Sequence, residues 1–128
     1  MLAFLFLVLV ANSNVLFAQP MRPASVKPRT SEVYSNKATL ADVEKAILSV
    51  ASRLDWMTKK GEDGEIQAKL IVRTHELVVT ITFSSSEYTI TYKDSKDLKY
   101  NASNQTVHGK ARKWLDDLDH GIQKELAR

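Results

Sequence analysis

The chain has 128 residues and a formal net charge of +3, and it contains no cysteine. This length is typical of a single domain, and so mild a charge argues against nucleic acid as a partner. The lack of cysteine excludes disulfides, thiolate metal sites, thiol nucleophiles and a cysteine-linked lipid anchor. Stability must therefore come from the burial of an apolar core.

Residues 1–18 form an apolar leader without a single charged side chain. Its first ten residues have the length of a signal-peptide core, whereas a membrane-spanning helix needs about 20 apolar residues. We predict cleavage after Ala18, which leaves no stable membrane span and places the protein in the periplasm or outside the cell. The alternative is an uncleaved N-terminal anchor, because no basic residue precedes the apolar run and Leu16 is bulky for a cleavage site.

Residues 19–37 differ in composition from both the leader and the rest of the chain. They hold three prolines, four basic residues and several serines and threonines. Each proline removes a backbone donor and disfavours helix at the residue before it. We therefore predict a flexible linker at 19–37, followed by one folded domain at 38–128.

The folded domain begins with a predicted helix and continues with predicted strands. Thr39 and Asp42 have the spacing of a capping box, and apolar residues at steps of three and four continue to about Arg53. From Trp56 the apolar residues alternate instead, which predicts a four-stranded antiparallel meander. The predicted core-facing residues are Ile66, Ala68, Leu70 and Val72, then Leu77, Val79, Ile81 and Phe83, then Tyr88, Ile90 and Tyr92.

A polar loop at 94–104 and a helix from about Thr106 to Ala127, with Gly109 in its first turns, complete the prediction. Both helices need apolar cover, and a one-sided antiparallel sheet offers one apolar face. The fold class is therefore predicted to be α+β, a two-layer sandwich in the order helix, four-stranded meander, helix.

No catalytic motif is present in the sequence. There is no Gly-x-Ser-x-Gly elbow and no glycine-rich phosphate loop, and the spacing of His75, His108 and His120 matches no metal-ligand pattern. We therefore predict a protein that is not an enzyme and uses neither a metal nor another cofactor.

Aromatic residues beside the predicted core faces favour a binding function. Together with Arg73 and His75, they can line a small groove where the sheet meets the last helix. The alternative is a core role, because an aromatic ring with a polar tip is often buried with one hydrogen bond. The aromatic residues concerned are Trp56, Tyr88, Tyr92, Tyr100 and Trp114.

An ordered set of short motifs extends over residues 54–128. They are Trp56, Gly64-Glu65-Ile66-x-Ala68, Arg73-x-His75, Tyr88-x-Ile90-x-Tyr92, Asp94-Ser95-x-x-Leu98-x-Tyr100, His108, Trp114 and Leu118-Asp119-x-x-Ile122. This set resembles a family of uncharacterised small exported proteins, often lipoproteins, of Gram-negative bacteria. The resemblance implies a periplasmic address, no known reaction, and one polar-aromatic cluster. That cluster consists of Arg73, His75, Tyr92, Tyr100, His108 and Trp114.

Two functional hypotheses follow. The first is a non-enzymatic binding or envelope-associated module for an envelope protein or a small ligand, with a groove lined by Arg73, His75 and the aromatic residues. The second is a secreted inhibitor or partner of an envelope enzyme. It would act through the loop at 94–104, or by strand addition at an exposed strand such as the one that carries Thr89 and Thr91.

Overall fold

The computed structural model of the protein describes residues 21–34 and 38–128. The leader at 1–18 lies outside these residues, so its cleavage or retention stays a prediction. Within the described part of the chain, no helix has the length and apolar character needed to cross a membrane.

The chain is α+β, as predicted, with one five-stranded and one two-stranded antiparallel sheet. The helices of the described residues are α1 (Leu40–Arg53) and α2 (Ala111–Leu126). The strands of the larger sheet are β2 (Arg29–Glu32), β3 (Met57–Lys60), β4 (Glu65–Val72), β5 (His75–Phe83) and β6 (Glu87–Lys96). Their order across the sheet is β2-β6-β5-β4-β3. The smaller sheet pairs β1 (Ala24–Ser25) with β7 (Thr106–Val107).

The predicted four-stranded meander is present as β3 to β6; alternating residues of β4, β5 and β6 face one core, whereas β3 is exposed throughout. Ala68 lies opposite Val79, and Ile81 opposite Ile90, on the buried face of the sheet. Apolar residues of both helices, including Val43 and Leu118, join the same core cluster. Period-two alternation in the sequence is thus matched by burial on one face of the sheet.

Helix α1 begins and ends where the sequence predicts. The Thr39 hydroxyl accepts a hydrogen bond from the Asp42 backbone at 3.1 Å, and the Asp42 carboxylate accepts one from the Thr39 backbone at 3.1 Å. Hydrogen bonding to the carboxylate from the Thr39 backbone, and next from the Thr39 side chain, holds the pKa of Asp42 below its ordinary value. The capping box therefore fixes the start of the helix.

The prediction of a flexible linker is wrong for most of 19–37, because residues 21–34 of this segment lie along the domain and contribute strands β1 and β2. The Arg29 guanidinium donates to the Asp116 carboxylate at 2.8 Å, and Val26 is buried. Pro23 and Pro28 each come just before a short strand, where a missing backbone donor is tolerated. The predicted order of helix, four strands and helix is therefore incomplete.

The region before α2 also differs from the prediction. Strand β6 continues to Lys96, and α2 begins at Ala111 instead of near Thr106. Gly109 precedes the helix at a crossing with the N-terminal segment, where a Cβ atom would overlap the Arg22 carbonyl oxygen and the Met21 side chain. Val107 and Ala111 have helical spacing, but Val107 belongs to strand β7.

Candidate functional site

Four separate parts of the chain meet at one end of the domain. The Thr74 hydroxyl, in the β4–β5 turn, donates to the Asp97 carboxylate at 2.6 Å. The His108 backbone donates to the Leu98 carbonyl at 2.6 Å, which joins the loop after β6 to the residues before α2. We call this region, made of residues 21–23, 73–75, 97–105 and 108–113, the basic end.

His75 is the best-connected of the predicted site residues. Its Nε2 atom lies 3.0 Å from the Lys110 ammonium, which can only donate, so Nε2 accepts this hydrogen bond. The Nδ1 atom therefore carries the hydrogen and donates to the Asp97 carbonyl at 2.7 Å, with the Asp97 carboxylate 3.2 Å away. Both ring nitrogens are occupied, which leaves neither free to take a proton from a substrate or to bind a metal.

Asp97 makes polar contacts with several residues of the basic end. The hydrogen bond from Thr74, with smaller contributions from the charges of Lys110 and Lys99, keeps the pKa of Asp97 below its ordinary value. Its backbone has a positive φ of 57°. The ionised carboxylate thus links the β4–β5 turn to the loop after β6.

The aromatic residues form two pairs. The rings of Tyr92 and Tyr100 are stacked with centroids 4.1 Å apart, and the rings of His75 and Trp114 lie 6.4 Å apart. The Tyr92 hydroxyl lies 2.7 Å from that of Ser95, and burial raises the pKa of Tyr92. Tyr100 stays 42% exposed, so one face of this stack is open to a partner.

The structure brings most of the predicted cluster to the basic end, but in separate groups. His108 accepts a hydrogen bond from the Lys110 backbone at 3.1 Å. Arg73 is an exposed turn residue with a φ of 58°, and no hydrogen bond or ion pair of its side chain is found in the described residues. Asp97 and Lys110, which connect the groups, were not among the predicted site residues. Their signal in the sequence was only proximity to Leu98 and His108.

The predicted groove has no counterpart among the depressions described on residues 21–34 and 38–128. None of the five is lined by Arg73, His75, Tyr100 or Trp114. One of about 330 Å³ lies far from them, between β2 and the C-terminal end of α2. Tyr92 lines one small depression, and the exposed side chains of Arg73, Lys99 and Tyr100 offer an open surface that suits a large partner.

Charge distinguishes this end of the domain. Its segments contain one carboxylate, Asp97, against six basic residues. Asp97 is already held by Thr74 and His75, and Lys113 also pairs with Asp117 on the next turn of α2. The six basic residues are Arg22, Arg73, Lys99, Lys110, Arg112 and Lys113.

The opposite end of the sheet carries the opposite charge. Backbone hydrogen bonds from Phe83 to Gly64 and from Val33 to Ser86, both of 2.8 Å, bring its turns together. We call this region, made of residues 32–34, 61–65 and 84–87, the acidic end. These segments have no lysine or arginine, although Lys59 and Lys60 of β3 directly precede residue 61. They have five exposed carboxylates, which are those of Glu32, Glu62, Asp63, Glu65 and Glu87.

The second hypothesis placed a strand edge at Thr89 and Thr91, and this placement is wrong for Thr89. The Thr30 hydroxyl of β2 lies 2.9 Å from that of Thr89, whereas the pairing with β2 ends at Ile90 and Thr91 lies opposite Thr80 of β5. Strand β2 therefore covers only the first four residues of β6. The edges of the sheet are β2 and β3, both of only four residues.

Within the described residues, no group of three or more histidine, aspartate and glutamate side chains is placed to hold a metal ion. Comparison with protein-family models, with curated proteins and with solved structures finds no match to this chain.

Proposed function

We propose that this chain is an exported, non-enzymatic, envelope-associated binding module, and that its binding surface is the basic end. The separation of charge carries the proposal, since six basic residues lie at one end and five carboxylates at the other. A domain polarised in this way is oriented by the field of a charged partner before contact. The expected partner is a negatively charged component of the envelope.

The contacts at His75 support binding over catalysis. A general base needs a free nitrogen within reach of the proton it removes. Here Lys110 and Asp97 occupy both nitrogens, and Trp114 lies beside the ring. His75 therefore positions the loop after β6 and the start of α2, and the exposed lysines and Tyr100 provide the contact surface.

The role of a secreted inhibitor or enzyme partner depends on the same end. Its strand-addition route is closed at Thr89, where β2 pairs with β6, but the loop that carries Lys99 and Tyr100 is exposed at the basic end. An acidic surface on an envelope enzyme would fit these residues, so this role differs from the first only in the partner.

Retention of envelope components by the immobilised chain tests the proposal. The variant Lys99→Gln/Lys113→Gln removes two exposed charges from the basic end. The control Lys45→Gln/Lys59→Gln has the same net charge, because it removes two exposed lysines elsewhere. We expect loss of a retained component only in the first variant. Equal retention by both variants and the unmodified chain would refute a site at the basic end.

A further inference from the structure

The N-terminal segment enters the domain at the basic end. Met21 and Arg22 pack against Gly109, and the Arg112 guanidinium donates to the Pro23 carbonyl at 2.6 Å. The eighteen uncharged residues of the leader lie only two residues before Met21 in the sequence. Whether or not the leader is retained, the side of the domain on which it joins is the side that carries the basic residues.

We infer that the basic end docks on the surface of an anionic phospholipid bilayer; this inference rests on the proposed function and names its partner. Lysine and arginine near such a surface are attracted to the headgroups, and each strengthens binding about fivefold. Four of the six basic residues, Arg22, Arg73, Lys99 and Lys113, are exposed. Their side chains are therefore accessible to an anionic partner without any rearrangement of the fold.

The position of Tyr100 supports a bilayer. Its ring is 42% exposed and follows Lys99 directly. A tyrosine ring with a polar tip and a lysine with an apolar stem both suit the boundary between headgroups and acyl chains. The stack with Tyr92 holds the exposed ring in place, with centroids 4.1 Å apart.

The acidic end completes the orientation. Its five exposed carboxylates are repelled by an anionic surface, so the domain stands with this end directed away from the bilayer. Both charges favour the same orientation, and both effects weaken as salt shortens the range of electrostatic interaction to about 8 Å at physiological ionic strength. A neutral bilayer offers neither attraction nor repulsion.

The experiment uses the full chain in nanodiscs, either of phosphatidylcholine alone or with phosphatidylglycerol added. Backbone amide exchange over residues 97–105 reports docking even if the leader inserts into both kinds of disc. We expect exchange there to slow about fivefold or more with phosphatidylglycerol, and the effect to vanish at high salt. Exchange over residues 61–65 at the acidic end should be equal in the two discs.

The two lysine variants make the test specific. Lys99→Gln/Lys113→Gln should lose the protection at residues 97–105, whereas Lys45→Gln/Lys59→Gln should keep it. Identical exchange in both discs, or equal loss in both variants, would overturn the inference. The nanodiscs contain no envelope component, so retention of an envelope protein without protection by lipid would leave the proposed function standing and reject the bilayer. Failure of both experiments would reject both the proposed function and the docking on a bilayer.

Discussion

The two ends of the sheet differ in backbone geometry as well as in charge. Among the described residues, five non-glycine positions have a positive φ, and four of them lie at the basic end. These four are Arg73, Asp97, Lys99 and Gln105. The acidic end makes its β3–β4 turn with Gly64, for which a φ of 81° carries no Cβ penalty. Strained backbone tends to concentrate at functional sites, and here it coincides with the contacts of His75 and Asp97.

The crossing at Gly109 should give the largest effect. In Gly109→Ala the new methyl group overlaps the Arg22 carbonyl oxygen, and displacement of residues 21–26 would expose the buried Ala24 and Val26. We expect a loss of about 2 kcal/mol in the free energy of unfolding, measured by denaturant titration. Gly61→Ala at the acidic end is the control, because its methyl group meets only the movable end of the Glu65 side chain. Equal losses would show that the crossing does not hold the segment.

Removal of the Tyr88 hydroxyl should have the next largest effect. This group donates to the Asp119 carboxylate at 2.6 Å and ties α2 to the sheet toward the acidic end. Tyr88→Phe should lower the free energy of unfolding by about 1.5 kcal/mol, measured by denaturant titration.

The same residue makes stability depend on alkaline pH. Burial, and then Asp119, raises the pKa of Tyr88 above its ordinary value of 10.0. A raised pKa means that the Tyr88 hydroxyl loses its proton at a higher pH in the folded state than in the unfolded state. The stabilisation by the protonated hydroxyl is therefore complete below pH 10 and is lost as the pH rises further. The free energy of unfolding should therefore differ less between pH 8 and pH 11 in Tyr88→Phe than in the unmodified chain. An unchanged difference would contradict the prediction.

Substitution of Arg73 isolates backbone strain from charge. Its φ of 58° suits glycine better than any side chain with a Cβ atom. Arg73→Gly and Arg73→Ala remove the same charge, but only the first relieves the strain, so it should be more stable by about 1 kcal/mol in denaturant titration. If the two variants unfold at the same denaturant concentration, the turn is not strained.

The smallest effect is expected at Asp97. Because the pKa of Asp97 is lowered on folding, the ionised carboxylate stabilises the folded state at pH values above its ordinary pKa of 3.8. This contribution is lost as the pH falls below that value. The melting temperature should therefore fall less between pH 7 and pH 3 in Asp97→Asn than in the unmodified chain. Asp63→Asn at the acidic end is the matched control. A full acid response in Asp97→Asn would show that the carboxylate does not stabilise this loop.

The sequence predicts best where one rule of side-chain periodicity operates over many residues. The alternation in β4, β5 and β6 is confirmed by burial, and the capping box at Thr39 places the start of α1 correctly. Strands β1 and β2 have two and four residues and are flanked by prolines, so their periodicity is too short to detect. Their conformation depends on contacts with residues distant in the sequence, such as the hydrogen bond from Arg29 to Asp116.

The candidate site could be predicted only in part, because its contacts join segments that are distant in the sequence. The residues that the resemblance implied as one cluster lie in separate groups, and the contacts of His75 come from Asp97 and Lys110, on the loop after β6 and just before α2. No local pattern relates those positions to His75. The separation of charge was hidden as well, because basic and acidic segments are interspersed along the chain and are brought to separate ends only by the antiparallel turns.

The pairing of β2 with β6 sets an order of events during folding. Thr30 and Thr89 are 59 residues apart, whereas strands β3 to β6 pair with their neighbours in the chain. Contacts of such long range form late, because the closure of a long loop costs entropy first. Residues 29–32 are thus synthesised early but are among the last residues to pair in the sheet. Until they arrive, β6 is an open edge that another chain can pair with, so we expect slow docking of this segment to govern aggregation of the newly made protein.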